Sequence, residues 1–227
     1  MAPPGRVAGG MVTSNTASFL VELGQERLLS IIRGTDPDAA IQTALVLIDS
    51  GIRFLEVSLV TTDALRVIAE VARQSSGRCV LGAGTVLSRE DVDRAAEAGA
   101  QFMVTPALTE SVAESAARGI PVLAGALTPT EAVTAMRLGA AGVKLFPSSI
   151  GGPAYLRALR DPLPHVPFVP VGGVTCVLAA EYLAAGAMAV GIGSPLVGDA
   201  AHGGDLDALR VRAVTFLSVA ALTPALR

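Results

Sequence analysis

Residues 97–106 read EAGAQFMVTP. A helix-like stretch runs up to Gly99, and a short run of apolar residues, Phe102, Met103 and Val104, follows it. Glycine takes the left-handed conformation that ends helices. A brief apolar run without alternation reads as a strand buried on both faces. The stretch therefore predicts a helix, a glycine stop and a parallel strand.

The same order of parts recurs in IDSGIRFLEVSL (48–59), AARGIPVLAG (116–125), RLGAAGVKLFP (137–147) and LAAGAMAVGIGS (183–194). The glycines at 51, 77, 99, 119 and 139 stand about 20 to 26 residues apart, room for one strand and one helix. Alternation of that kind implies parallel strands joined by helices. The pattern predicts eight strands, at 28–33, 53–59, 79–82, 101–105, 121–124, 142–146, 167–171 and 188–192. Helices are expected at 37–50, 62–75, 89–98, 109–118, 129–138, 153–160, 175–185 and 205–221. TDPDAA and LTPTEA place Asp36 and Thr128 just before a proline, a sound helix start.

Eight such units predict an α/β fold, a (β/α)8 TIM barrel, as a single domain over 16–227 with a short N-terminal helix near 16–25. The Pro-, Gly- and Ser-containing opening at 1–15 reads as a flexible leader without the apolar core of a signal peptide, and Met11 offers a second start. An open doubly wound sheet is the alternative. It calls for a dinucleotide fingerprint, but GAGTVL (82–87) and GIGSPL (191–196) carry Leu87 and Leu196 where the last glycine belongs.

Composition narrows the function. A net charge of −3 offers no broad basic surface, so neither nucleic acid nor an anionic membrane is expected as a partner. No apolar run approaches the roughly 20 residues of a spanning helix. Cys79 and Cys176 read as free thiols of a reducing, cytoplasmic setting rather than a disulfide pair. The two histidines, His165 and His202, show no metal-ligand spacing, so no metal is expected, and His165 falls in a loop.

In a barrel, chemistry belongs at the C-terminal ends of the strands. Those ends carry Arg33, Glu56, Thr85, Pro106, Gly125, Lys144, Gly172 with Gly173, and Gly193 with Ser194. Arg33, Glu56 and Lys144 interrupt strongly apolar runs, and a buried charge is costly unless paired or neutralised. Lys144 is the one lysine in a chain whose other basic side chains are all arginine. A structural ion pair with Glu56 is one explanation, yet arginine serves that purpose at least as well. Lysine alone can shed its proton and attack a carbonyl as an amine. Lys144 therefore reads as an imine-forming nucleophile. Glu56, on the strand opposite in an eight-stranded barrel, reads as its proton carrier. Gly172, Gly173, Gly193 and Ser194, after strands seven and eight, suit a phosphate, since small residues let backbone N–H groups approach an anion.

LEVSL, LGAGTVL, AGAQFMVTPAL, GVKLFPSS, PVGGV and GIGSPLV, in that order, resemble the 2-keto-3-deoxy-6-phosphogluconate and 4-hydroxy-2-oxoglutarate aldolase family, with its 6-phosphogalactonate branch. The resemblance spans roughly residues 27–220. It implies a class I, Schiff-base aldolase of the TIM-barrel type, commonly a trimer and needing no metal or cofactor. Such an enzyme cleaves a keto acid, a 2-keto-3-deoxy-6-phospho sugar acid or 4-hydroxy-2-oxoglutarate, to pyruvate and an aldehyde such as glyceraldehyde 3-phosphate. It implies Lys144 as the imine lysine and Glu56 as the acid/base. Thr85 matches the carboxylate site, Pro106 and Phe146 the pocket wall, and Gly172, Gly173, Gly193 and Ser194 the phosphate end. Two positions depart from the phosphogluconate pattern: Val60 stands where that type has arginine, and Val171 where it has threonine. Arg33 and the pair Ser148–Ser149 resemble the phosphogalactonate branch, which also carries valine before Gly-Gly, and Arg33 is expected to supply the anion contact that Val60 lacks. The epimer remains open. Two other readings compete: a different phosphate-binding barrel, an isomerase or synthase, which needs acids at several strand ends, and a non-catalytic sugar-phosphate binder.

Overall fold

A computed structural model describes residues 14–222. The expected leader at 1–15 and Met11 lie largely outside the described residues. The helix after the leader begins at Ser14, two residues earlier than expected.

The chain opens with α1 (Ser14–Glu26) and then alternates β1 (Leu28–Ile32), α2 (Pro37–Asp49), β2 (Phe54–Ser58), α3 (Ala64–Ser75), β3 (Val80–Gly84), α4 (Arg89–Glu97), β4 (Phe102–Val104) and α5 (Glu110–Ala117). It continues with β5 (Val122–Ala126), α6 (Pro129–Arg137), β6 (Gly142–Leu145), α7 (Gly152–Arg160), β7 (Phe168–Pro170), α8 (Cys176–Ala184), β8 (Val190–Ile192), α9 (Ser194–Val197) and α10 (Leu206–Leu222). All neighbouring strands are parallel, in the order β7-β6-β5-β4-β3-β2-β1-β8. A bridge between Val171 and Gly191, with Met188 N donating to Phe168 O at 2.9 Å, joins β7 to β8 and closes the barrel. The eight expected strands are present. The difference that matters is β3, which runs on to Gly84 rather than stopping at 82.

Local chemistry explains the element boundaries. Asp36 caps α2 by accepting from the backbone N–H groups of Asp38 and Ala39, and Pro37 presets the first turn. Thr128 and Glu131 form a reciprocal capping box at α6. Gly51, Gly99, Gly119 and Gly139 all take positive φ just beyond their helices, as the recurring glycine predicts.

Along each strand, side chains alternate between the barrel interior and the helical layer. On β2, Leu55 and Val57 join the core under the helices, whereas Phe54 packs inside the barrel with Leu29, Phe102 and Leu123. The N-terminal end of the barrel is plugged by α1: Phe19 stacks edge-on to Phe54 at 5.7 Å and lies 5.1 Å from Phe102. Space for the large interior residues comes from glycines on neighbouring strands. A Cβ on Gly82 would collide with the Phe102 ring, one on Gly84 with the Glu56 carboxylate, and one on Gly191 with Val171. With the lower half filled and plugged, any opening into the barrel faces the C-terminal ends of the strands.

Candidate active site

Glu56 occupies the interior position two residues beyond Phe54 on β2. It is 1% exposed. Lys144 sits in the matching layer of β6, between Gly125 of β5 and Val169 of β7. It is 6% exposed. Glycine at 125 leaves room beside it, where the Pro106 carbonyl approaches too closely for any Cβ. Lys144 Nζ lies 3.8 Å from Glu56 Oε1 and 5.2 Å from the centre of the Phe146 ring.

That geometry argues against a purely structural ion pair. A charge-assisted hydrogen bond closes to about 2.7–2.9 Å, and this pair stands well beyond that. Glu56 Oε2 is fully buried and has no hydrogen-bond partner among the described groups. Burial pushes the Glu56 carboxyl above its ordinary value of 4.5, and the nearby charges of Lys144 and Arg33 oppose that rise without reversing it. A carboxyl that is buried, incompletely paired and displaced toward its acid form suits proton transfer.

Above the pair lies a cavity of about 430 Å³, lined among others by Arg33, Thr85, Pro106, Lys144, Phe146, Gly172, Gly173, Gly193 and Ser194. The structure thus brings together the residues expected at the strand ends, with Glu56 set beneath them at the Lys144 amine. Thr85, just past β3, holds φ at +60°, a costly backbone setting for a residue that is not glycine. Its hydroxyl pairs with that of buried Ser58 at 2.8 Å. The turn after β6 is held to the turn after β7: Ser148 N donates to Val171 O, and the Ser148 hydroxyl donates to Gly172 O at 3.2 Å. Tyr182 of α8, buried, donates to Ser148 O at 2.8 Å and fixes that turn from below.

Val171 lines the cavity, whereas Val60 is 59% exposed and is not among the lining residues. Sequence reasoning did not select Ile31, Pro195, Val197, Gly198 or His202, which also line it. Four of these, all but Ile31, belong to the segment after β8, where α9 and a 3-10 turn at Ala200–His202 went unrecognised. A four-residue helix is too short for a periodic signal, although Pro195 at its start was a readable cue. Among the described residues no cluster of His, Cys, Asp or Glu has the arrangement of a metal site. Cys79 and Cys176 are both free, and burial raises the Cys79 thiol.

Comparison with known proteins places this cavity in context. The family model for KDPG and KHG aldolase matches residues 21–212. The chain is 37% identical over 193 residues to a probable 2-dehydro-3-deoxy-6-phosphogalactonate aldolase of Rhizobium meliloti (strain 1021), covering 84% of this chain and 90% of the relative. It is 37% identical over 171 residues to the 2-dehydro-3-deoxy-6-phosphogalactonate aldolase of Escherichia coli (strain K12), covering 74% and 83%. A solved structure described as native KDPGal superposes with a TM-score of 0.79 at 34% identity, covering 85% of this chain and 93% of that one.

Proposed function

The chain belongs to the KDPG and KHG aldolase family, and from that premise we propose how its cavity cleaves a keto acid. It is a class I aldolase, a carbon–carbon lyase, and the isomerase, synthase and binder readings are not favoured. The substrate is a 2-keto-3-deoxy-6-phospho sugar acid, with 4-hydroxy-2-oxoglutarate as a shorter molecule of the same chemistry. The Lys144 amine adds to the C2 carbonyl, and loss of water leaves an imine. Glu56 takes the proton of the C4 hydroxyl, directly or through a water. The C3–C4 bond breaks, its electron pair moving into the imine, and an aldehyde departs from an enamine. Glu56 returns its proton to C3, and hydrolysis of the resulting imine frees pyruvate and the amine.

The observation that carries this reading is the buried Lys144–Glu56 pair, 3.8 Å apart beneath a cavity lined by residues at the strand ends. A carboxyl displaced upward by burial is suited to both halves of the proton transfer. Thr85 and its backbone face the keto-acid carboxylate, Pro106 and Phe146 wall the pyruvate moiety, and Arg33 supplies an anion contact. Gly172, Gly173, Gly193 and Ser194 receive the distal phosphate. The imine is itself the electron sink, so the reaction needs neither metal nor cofactor. We extend the proposal to a homotrimer, on the family likeness, and to a cytoplasmic setting, consistent with two free cysteines and with the absence, among the described residues, of any helix long and apolar enough to cross a membrane.

Pyruvate and borohydride test the covalent step. One reduced pyruvate is expected on the intact chain, at Lys144, with the N-terminal amine as the sole rival because there is no other lysine. Lys144→Arg keeps the charge but cannot form the imine, so trapping and pyruvate release both vanish. Trapping that survives in Lys144→Arg overturns the assignment.

A further inference from the structure

His202 stands 167 positions from Thr35 in sequence, yet its Nδ1 lies 2.9 Å from the Thr35 hydroxyl and 3.3 Å from the Thr35 backbone nitrogen. A backbone N–H can only donate, so Nδ1 is the acceptor. In the neutral ring the proton then sits on Nε2. The imidazole is therefore held in one tautomer by its anchored nitrogen, and the nitrogen left for a ligand is a donor.

The anchor is built by close backbone approach. Gly34 lies against the carbonyl of Ala201, and any Cβ there would strike it. The segment that carries His202 is tied down from the other side. Arg212 of α10 donates to Leu196 O at 2.7 Å and to Val197 O at 3.0 Å, while His202 N and Gly204 N both donate to Asp199 O. The Asp199 hydrogen bonds that shape this exposed turn use only backbone, and the contact to Thr35 occupies Nδ1 alone, which leaves Nε2 for a ligand.

His202 lines the cavity above Lys144, together with Arg33, Ser194 and Gly198. The lining holds Arg33, Lys144 and His202 as its basic side chains and no carboxylate. Arg33 lies two residues before Thr35, and Ser194 lies in the segment that ends in His202. These groups converge at the β8 and β1 side of the mouth. We propose that His202 is a further substrate-binding residue, whose Nε2–H donates to the distal phosphate of the sugar acid, with Thr35 as its positioning residue. The proposal rests on the aldolase reading of the same cavity and deepens it: a fixed donor in a lining that also carries a guanidinium selects an anionic end over a neutral one.

The chain has two histidines, so imidazole NMR resolves them without crowding, and exposed His165, outside this cavity, is an internal control. In the free protein Nδ1 of His202 is expected to resonate as the pyridine-type nitrogen and Nε2 as the pyrrole type. Titration with glycerol 3-phosphate should move the His202 ring resonances saturably while those of His165 stay; glycerol should move neither. Thr35→Val should leave a mixture of tautomers at His202. In kinetics, His202→Ala should raise KM for the phosphorylated keto acid by about tenfold to a hundredfold, the range for a hydrogen bond to a charged group. It should alter KM for the unphosphorylated analogue far less, and His202→Gln should recover most of the loss. Glycerol 3-phosphate that leaves His202 unmoved, or moves both histidines alike, overturns the proposal, as does an equal rise in KM for both substrates. Pyruvate trapping on Lys144, which needs no phosphate, checks the fold of each variant. It also tests the aldolase reading separately, so failure of that reading is distinguishable from failure at His202.

Discussion

Gly84→Ala is the substitution that probes the active-site geometry most directly. Gly84 ends β3 beside Glu56, and a Cβ there would lie 2.6 Å from Glu56 Cγ and closer still to the carboxylate. Carbon atoms at rest stand about 3.5–4.0 Å apart, so the Glu56 side chain must retreat by about 1 Å. Glu56 is itself 1% exposed, so it gives way only toward the cavity above Lys144, out of its present position. Overpacking of this kind costs about 1–3 kcal/mol of stability, which lowers the melting temperature by roughly 2–12 °C in a domain of this size. The effect on chemistry is larger than the effect on folding. A displacement of about 1 Å in a positioned catalytic group costs on the order of 10²-fold in turnover. Steady-state pyruvate release should therefore fall by about two orders of magnitude, while borohydride trapping of pyruvate on Lys144 persists because the amine is on the opposite strand. Thermal unfolding monitored by circular dichroism checks that the variant is folded. A folded Gly84→Ala protein that keeps its turnover within about threefold of the native value, against that ~10²-fold expectation, refutes the claim that Glu56 works from this position.

Glu56→Gln should lower kcat by about 10²–10⁴, the range for losing a positioned acid/base, and slow exchange of the pyruvate methyl protons with deuterated water in parallel. The same substitution has a stability signature: with its carboxyl raised above 4.5, folded native protein binds more protons than the unfolded chain from there upward, so native stability falls as pH rises through that window. Glu56→Gln removes this dependence, and denaturant unfolding should show it gaining on the native protein as pH rises above 4.5 and gaining nothing below; a constant difference across that range contradicts the raised carboxyl. Val171 lines the cavity with a methyl group where the phosphogluconate pattern has a threonine hydroxyl; on the proposed reading the native enzyme should accept the 6-phosphogalactonate epimer at least as well as the 6-phosphogluconate one, measured as kcat/KM. Val171→Thr should shift that ratio toward the gluconate epimer, and a strong native gluconate preference that the substitution leaves unaltered places stereochemical reading elsewhere.

The barrel was legible because its signals are local. A glycine after each helix and a short apolar run after each glycine depend only on neighbours in sequence, and both reappear as positive-φ stops and interior strands. Lys144 and Glu56 were legible for a related reason: a charge inside an apolar run is conspicuous without any knowledge of its partner. Strand parity then placed the two on opposite strands, and the 3.8 Å separation agrees with that placement. The strand expected at 79–82 stops at Gly82, because the small residues Gly82, Ala83 and Gly84 carry no apolar signal, yet all three lie within β3.

By itself, then, the sequence determined the order of the eight strand-and-helix units, and it singled out Lys144 and Glu56 as the amine and carboxyl of the candidate site. The tertiary structure alone decided that α1 plugs the barrel, that Val60 turns outward while Val171 lines the cavity, and that His202 lines that cavity too. The reason is physical. Gly84 against the Glu56 side chain and Gly34 against the Ala201 carbonyl are approaches between separate strands and turns, made only when the ring is assembled, and neither leaves room for a Cβ. Periodicity and capping act over a few residues and hold no record of such approaches, so a histidine anchored 167 positions from its partner becomes visible only when the barrel is closed.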